Sequence, residues 1–423
     1  MTVKQQHFLN QLSGPPDFRI HEVLQPSIPL PAVVVPAPLG PLSAFVGNWV
    51  GQGFNTIFRP ESTATPTPLP APLNPPTQPF DNILELNLTQ ETLSFQTSLG
   101  NVPNRGLGAQ ADITLNGVPY LQSINDITNG APVGIHVEPG IWLSVPATAT
   151  PNEPVTVARL ASIPHGTTIV AQGVMLAAVA GGPTIAPVDI TPFAAGTTPV
   201  GSTRIPFLSQ TWANNTTPRL PQNLGATAIT LALLADPATM LRNQIQNQVI
   251  TQTVVIGIST NPAAPLPGGP LPPAVAPNTS PAPLTPNFGG GPSNIAFLLG
   301  IPNPPATGKG PNAQSFQMDA VFWIETVAYE VDVPALPPGS APVVLSPVQT
   351  NPAVPLQPSF VAAIPFVANM GFAGGRVTVL ATQIQYTQKV LLNFNGLSWP
   401  HVSVASLVPA DPIPIPADLL TLS

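Results

Sequence analysis

The sequence predicts an all-β protein built on a large antiparallel up-and-down barrel, with long proline-rich loops and one or two short helices. Short apolar segments with period-two alternation recur along the chain, and Gly, Pro or Asn separates most of them, as in an antiparallel meander. Of the 423 residues, 43% are apolar and 61 are proline. The chain therefore has enough apolar side chains for a core, whereas its prolines oppose long helices.

Period-two alternation is clear at the first predicted strand, where Val50, Phe54, Thr56 and Phe58 share one face. We expect this strand to close the barrel wall by pairing with the last predicted strand, His401–Val408. The strands between them are predicted at Ile83–Leu88, Leu93–Thr97, Ala111–Leu115, Tyr120–Asp126, Gly134–Glu138, Ile141–Val145, Val155–Ser162, Thr167–Gln172, Thr251–Ile258, Met318–Val331 and Val377–Phe394.

One helix is predicted after Asp236-Pro237, because an aspartate N-cap followed by proline is a typical helix start. Its buried stripe would consist of Met240, Leu241, Ile245 and Val249.

Proline-rich segments predict the domain organisation. Residues 1–41 resemble an extended arm, and residues 42–423 are predicted to form a single barrel-based domain with a long insertion around 176–310. Within that insertion, residues 261–293 hold eleven prolines, a density that nearly forbids strand pairing. We expect this segment to leave the barrel as an irregular excursion.

Charge and composition exclude several function classes. Only 7% of residues are charged, and the 11 Lys and Arg residues form no basic stripe that could bind nucleic acid. The chain has no cysteine for disulfides or thiolate metal sites. No apolar run is long enough for a transmembrane helix, and Met1–Ser13 lacks the apolar stretch of a signal peptide, so a cytoplasmic location is the default expectation. The low charge favours self-association, so we expect a homo-oligomer.

Three segments in chain order carry a family resemblance. Gly47–Gly53 reads G-x-W-x-G-x-G, and His136–Gly140 reads H-x-E-x-G and is followed by Ala161–Gly166, which has one residue more than an A-x-P-x-G hairpin. Near the end, Asn395-Gly396 is a typical hairpin turn before the strand that begins with His401. Together they resemble the nitrobindin-like haem-binding barrels, which are related in shape to lipocalins and fatty-acid-binding proteins.

The resemblance implies a ten-stranded up-and-down barrel that holds ferric haem b. It places His401 as the single histidine ligand of the iron. It further implies chemistry on peroxynitrite, nitric oxide or a peroxide, so the protein would be a haem-dependent isomerase or a weak peroxidase if it is an enzyme.

His401 is the main candidate site residue. In a strand it shares one face with Ser403, Ala405 and Leu407. If that face points into the barrel, the small Ser403 and Ala405 would leave space for a flat ligand above the imidazole. The alternative is a structural histidine, hydrogen-bonded at the start of a strand.

Four further side chains are candidates for contact with a cofactor. His136 lies on the face of Glu138, as either a buried pair near the ligand or a solvated pair at an edge. His165 lies at a predicted hairpin turn, where it would contact the barrel mouth or solvent. Trp399 and Tyr386 would line a pocket or belong to the core. No catalytic residue is identified, because the carboxylates are isolated along the sequence.

Two other functions are compatible with the same sequence. The barrel could carry an apolar small molecule or a lipid without haem. Alternatively, the chain could be a structural, self-assembling protein whose low charge and proline-rich loops serve packing between subunits.

Overall fold

A computed structural model describes residues 38–61, 82–106, 109–150, 152–163, 168–195, 202–212, 217–261, 314–348, 356–364, 370–394 and 396–420. Ten of its strands form a closed antiparallel barrel. These strands are β1 (Gly47–Pro60), β2 (Asn82–Phe95), β3 (Ile113–Asp126), β4 (Val133–Val145), β5 (Thr156–Ser162), β6 (Thr168–Met175), β7 (Val249–Ser259), β8 (Gln314–Val333), β9 (Gly375–Phe394) and β10 (Leu397–Pro409). The predicted all-β barrel is confirmed.

The barrel is an up-and-down meander, because each strand pairs with the strand that follows it along the chain. The wall closes where β1 pairs with β10, from Trp49 opposite Pro409 to Thr56 opposite Val402. This confirms the predicted pairing of the first and last strands. Trp49 and His401 lie towards opposite ends of the barrel, since the two strands run in opposite directions.

Several predicted strands are single longer strands in the structure. Each of β2, β3 and β4 spans two of the predicted segments. The glycines that suggested turns instead mark close approaches inside the sheet. A Cβ atom at Gly140 would lie 2.6 Å from the ring of Tyr120 on the neighbouring strand, so only glycine lets that ring occupy its place.

An apolar core fills the Trp49 end of the barrel. A 3-10 helix, Gly40–Phe45, precedes β1 and inserts Leu42 and Phe45 into a cluster with Trp49, Trp142 and Phe322. The indole Nε1 of Trp49 donates a hydrogen bond to the Phe45 carbonyl oxygen at 2.7 Å. Gly40 and Pro41 therefore belong to the helix that packs into the barrel.

Replacing Trp49 with Ala is expected to lower the free energy of unfolding by about 3–5 kcal/mol, because it empties a buried aromatic site. Urea denaturation of the variant measures this loss. Trp212→Ala is the matched control, since Trp212 is 41% exposed and should tolerate truncation. Equal stability of the two variants would contradict the packing role of Trp49.

The segment between β6 and β7 covers part of the outer wall. Its helices are α1 (Leu231–Ala235) and α2 (Thr239–Ile245). Ile185, Leu233 and Leu241 of this segment pack on Phe54 and Val404 of the wall in a second apolar cluster. Part of the predicted insertion is therefore a layer on the barrel, and β7 interrupts that insertion.

Helix α2 begins three residues after Asp236, whose carboxylate accepts a hydrogen bond from the Ala238 amide at 3.0 Å. Leu241 of the predicted stripe is fully buried. The inclusion of Val249 in that stripe is wrong. Asn247 has a positive φ of 67°, which ends the helical path, and Val249 begins β7 with 63% of its surface exposed.

Strands β8 and β9 pair along nearly their whole length and extend beyond the apolar end of the barrel. There, Val331 and Val379 pack with Phe360 and Ile415 in a third apolar cluster. The small sheet in this region consists of Val343–Leu345, Phe360–Ala362 and Ile413–Pro414. The remaining short strands are Val102–Asn104, Thr148–Ala149, Asn152–Glu153, Val179–Ala180, Phe193–Ala194 and Arg219–Leu220, and further 3-10 helices are Leu208–Gln210, Leu224–Ala226 and Ala417–Leu419.

Two predictions lie mostly outside the described residues. These are the extended arm, of which the structure describes only residues 38–41, and the irregular excursion at 261–293, of which it describes only residue 261. Within the described ranges, no helix has the length and apolar character needed to cross a membrane.

Candidate ligand site inside the barrel

A buried ion pair lies in the middle of the barrel interior. Arg159 on β5 donates from Nη2 to Oε1 of Glu138 on β4 at 2.6 Å, and the Glu138 side chain is fully buried. Tyr120 on β3 donates its hydroxyl hydrogen to the same carboxylate and accepts from Nε of Arg159 at 2.9 Å. The guanidinium also lies 5.6 to 5.7 Å from the ring centroids of Tyr120, Trp142 and Phe322.

A second carboxylate, Glu91 on β2, faces the same interior. Its Oε1 accepts from Nε2 of Gln122 at 2.6 Å, and its Oε2 accepts from the hydroxyl of Tyr386 at 2.7 Å. Gln122 is the cross-strand partner of Glu138, which places the two groups side by side. We call the set Glu91, Tyr120, Gln122, Glu138, Arg159, Tyr386 and Gln388 the polar layer.

The two carboxylates of the polar layer have opposite protonation preferences. Burial would raise the pKa of Glu138, but the charge of Arg159 and hydrogen bonds from His136 and Tyr120 more than offset it and lower that pKa to about 2. Burial raises the pKa of Glu91 to about 7 despite its hydrogen bonds from Tyr386 and Gln122. The layer thus holds one permanent carboxylate and one carboxyl group that changes charge near neutral pH.

His401 lies on the inner face of β10, towards the end opposite Trp49. The register places Ser403 beside Asn55, Ala405 beside Gly53 and Leu407 beside Gly51, and the inward-facing Ala405 and Leu407 belong to the interior core. Nδ2 of Asn55 lies 2.9 Å from Nε2 of His401 and 2.8 Å from Oγ of Ser403. His401, Asn55 and Ser403 form the group that we call the His401 cluster.

Gln388 connects the polar layer to the His401 cluster. Its Oε1 accepts from Nη1 of Arg159 at 2.9 Å, and its backbone is the cross-strand partner of Ser403. Val390 on the same strand is the partner of His401. A ligand beside His401 would therefore meet neutral amides and hydroxyls before it reached the ion pair.

The structure brings three of the five predicted site residues into the barrel interior. His401 and Tyr386 line it, and Nε2 of His136 lies 3.3 Å from Oε2 of Glu138, which makes His136 a neighbour of the polar layer. Trp399 instead packs in the second apolar cluster, stacked on Phe394 at a centroid distance of 4.5 Å. His165 lies outside the described residues.

Sequence reasoning missed Glu91, Gln122, Arg159 and Gln388. Each is a polar residue at a position where period-two alternation places an inward-facing side chain. That alternation was a usable signal for Arg159, which shares one strand face with Val157 and Ala161. The pairing of residues on different strands was not readable, because it depends on the register of the whole barrel.

No group of three or more histidine or carboxylate side chains that could hold a metal ion occurs in the described part of the chain.

Comparison with known proteins found no relative. No family model matches the sequence, and neither the curated proteins nor the solved structures include a significant match. The nitrobindin-like resemblance therefore stays a prediction that rests on the residues given above.

Proposed function

We propose that the protein binds a small ligand inside the barrel, beside His401, and that haem b is this ligand. One observation carries the proposal: His401 shares the inner face of the closing strand with Ser403, and Asn55 of the paired strand β1 holds its Nε2 at 2.9 Å. The imidazole is thus positioned towards the barrel interior, where a haem iron would need its histidine ligand.

The hydrogen bonding of His401 supports its role as a single histidine ligand. An amide nitrogen can only donate, so the contact with Asn55 leaves Nε2 of His401 as a hydrogen-bond acceptor. The lone pair that accepts this bond is the one that iron would take. Asn55 can release it and keep a partner, because Ser403 accepts from the same amide.

A bound haem would supply an iron with one open position for a small oxidant or nitrogen oxide. The chain's own contribution would be the ligand His401, the positioning amide of Asn55, and the neutral side chains of Ser403 and Gln388 along the interior. Arg159 and Glu138 are engaged with each other. Glu91, the carboxyl group of the polar layer that changes charge near neutral pH, is held by Gln122 and Tyr386. Because these carboxylates are bound to protein partners, we favour ligand binding or isomerisation over peroxidase chemistry, which needs an acid-base group that reaches the ligand.

Titration of the purified protein with hemin tests the proposal. We expect wild-type protein to give a Soret band with the shift of a histidine-ligated haem, and His401→Ala to lose it while keeping the circular dichroism spectrum of the folded barrel. His136→Ala is the matched control, since it removes an interior histidine that is paired with Glu138. Identical hemin spectra for wild type and His401→Ala would overturn the haem proposal.

The alternative of an apolar ligand is less well supported. The apolar end of the interior is filled by Phe45, Trp142 and Phe322, whose ring centroids lie 5.0 to 6.2 Å apart. The part next to His401 is polar. Self-association stays a prediction too; the exposed Leu121, Val137, Leu160 and Val170 give the outer face of β3 to β6 an apolar surface that a second copy could cover.

A further inference from the structure

We infer that Asn55 is a positioning residue that fixes the tautomer of His401 and decides which ligands its Nε2 can take. The inference deepens the proposed function and rests on it for the identity of the ligand. Its first part, the tautomer, concerns the chain alone.

The geometry joins three side chains on two paired strands. Asn55 is the cross-strand partner of Ser403, and His401 lies two residues away on the same face of β10. The Asn55 amide nitrogen is within 2.9 Å of both Nε2 of His401 and Oγ of Ser403. One NH₂ group has two hydrogens, so it can satisfy both acceptors at once.

An acceptor Nε2 carries no proton, so the neutral ring must hold its proton on Nδ1. Asn55 thus keeps Nε2 unprotonated, with its lone pair directed at the amide of β1. Only two classes of group can replace the amide at that lone pair: a Lewis acid such as a metal ion, or a hydrogen-bond donor of a ligand. A ligand whose contacting atoms only accept is excluded.

Displacement of the amide is cheap because Asn55 is bound at a second point. When a ligand takes Nε2, the amide loses one hydrogen bond but keeps Ser403 as its acceptor. Asn55 therefore orients the imidazole, and a ligand can still replace the amide at Nε2.

Nitrogen-15 NMR of the ligand-free protein at alkaline pH, where the imidazole is neutral, tests the tautomer. His401→Ala assigns the ring signals. We expect wild type to show His401 protonated on Nδ1, and Asn55→Ala to shift the ring towards the Nε2-protonated form. Asn48→Ala is the matched control, because Asn48 lies on the same strand but contacts Ser94 and Asp411 instead. A wild-type ring protonated on Nε2, or one unchanged by Asn55→Ala, would overturn the inference.

Hemin affinity tests the second part. Loss of one competing hydrogen bond should tighten hemin binding to Asn55→Ala by about 2- to 10-fold relative to wild type, and Asn48→Ala should bind as wild type does. Weaker binding by Asn55→Ala would overturn the displacement argument. Failure of hemin to bind any variant, together with the expected tautomer shift, would refute the haem proposal and leave the role of Asn55 intact.

Discussion

Replacing Arg159 with Met is expected to lower the free energy of unfolding by about 3–5 kcal/mol, because it leaves the charge of Glu138 buried in the barrel without its partner. Glu138 is fully buried and would lose the ion pair that holds its pKa near 2. Tyr120 and Gln388 would each lose a hydrogen bond from the guanidinium. Methionine keeps much of the arginine side-chain volume. The loss of stability therefore measures the missing charge and hydrogen bonds more than the effect of a cavity.

The comparison with an exposed ion pair isolates the effect of burial. Arg376 and Asp332 pair on the surface at 2.7 Å, and Arg376→Met should change the urea midpoint little. The double variant Arg159→Met, Glu138→Gln should recover a large part of the lost stability, since it removes the stranded charge. A single Arg159→Met variant as stable as Arg376→Met would show that the interior pair is not holding the barrel together.

The barrel was predictable because its determinants are local. Alternation identifies β1 and β10 as strands but does not say which face is inward, and the face of β1 with Phe54 and Phe58 packs on the outer layer. The turn at Gly396 sets the final hairpin. The G-x-W-x-G-x-G segment also has a physical cause: a Cβ atom at Gly53 would lie 2.3 Å from the Val404 carbonyl oxygen of the paired strand. Strand ends were less predictable, since Gly140 looks like a turn in sequence and proves to be a packing position.

The polar layer was not predictable, because its partners are far apart in the chain. Gln122 and Tyr386 contact each other across 264 residues, and Arg159 and Gln388 across 229. Such contacts depend on the number of strands and on the register of each pair of neighbouring strands around the barrel. A shift of one residue in any of these registers would change them. For His401 the sequence placed Ser403 and Ala405 on the same face of its strand, but it left open whether that face points into the barrel.

The protein is expected to lose stability as the pH rises from acidic to alkaline, because of a third buried glutamate, Glu325 on β8. Its side chain is fully buried on the outer wall, where Oε2 accepts from Nε2 of Gln383 at 2.6 Å. Its Oε1 has no hydrogen-bond partner among the described residues. Burial raises its pKa from 4.5 to about 8, despite the hydrogen bond from Gln383.

The direction of the change in stability with pH follows from comparing the Glu325 pKa in the folded and unfolded chains. The folded pKa is raised, so the stabilisation is complete below 4.5 and is lost as pH rises towards 8. The two values differ by about 3.5, and each pH unit in that window changes the free energy by about 1.4 kcal/mol, so the loss amounts to about 5 kcal/mol. Glu91, with a pKa of about 7, likewise lowers the stability as the pH rises. Glu138 has a lowered pKa, so its contribution to stability is lost only when the pH falls below 4.5.

Urea unfolding at a series of pH values measures this loss. Glu325→Gln replaces the acid with a neutral group of the same shape, so it should flatten the decline between pH 4.5 and 8 and leave the smaller contribution of Glu91. Glu330→Gln is the matched control on the same strand, where the carboxylate is only partly buried and accepts from Thr378 at 2.6 Å. A Glu325→Gln profile as steep as that of Glu330→Gln would mean that Glu325 is ionised in the folded protein, and that the outer wall accommodates its charge.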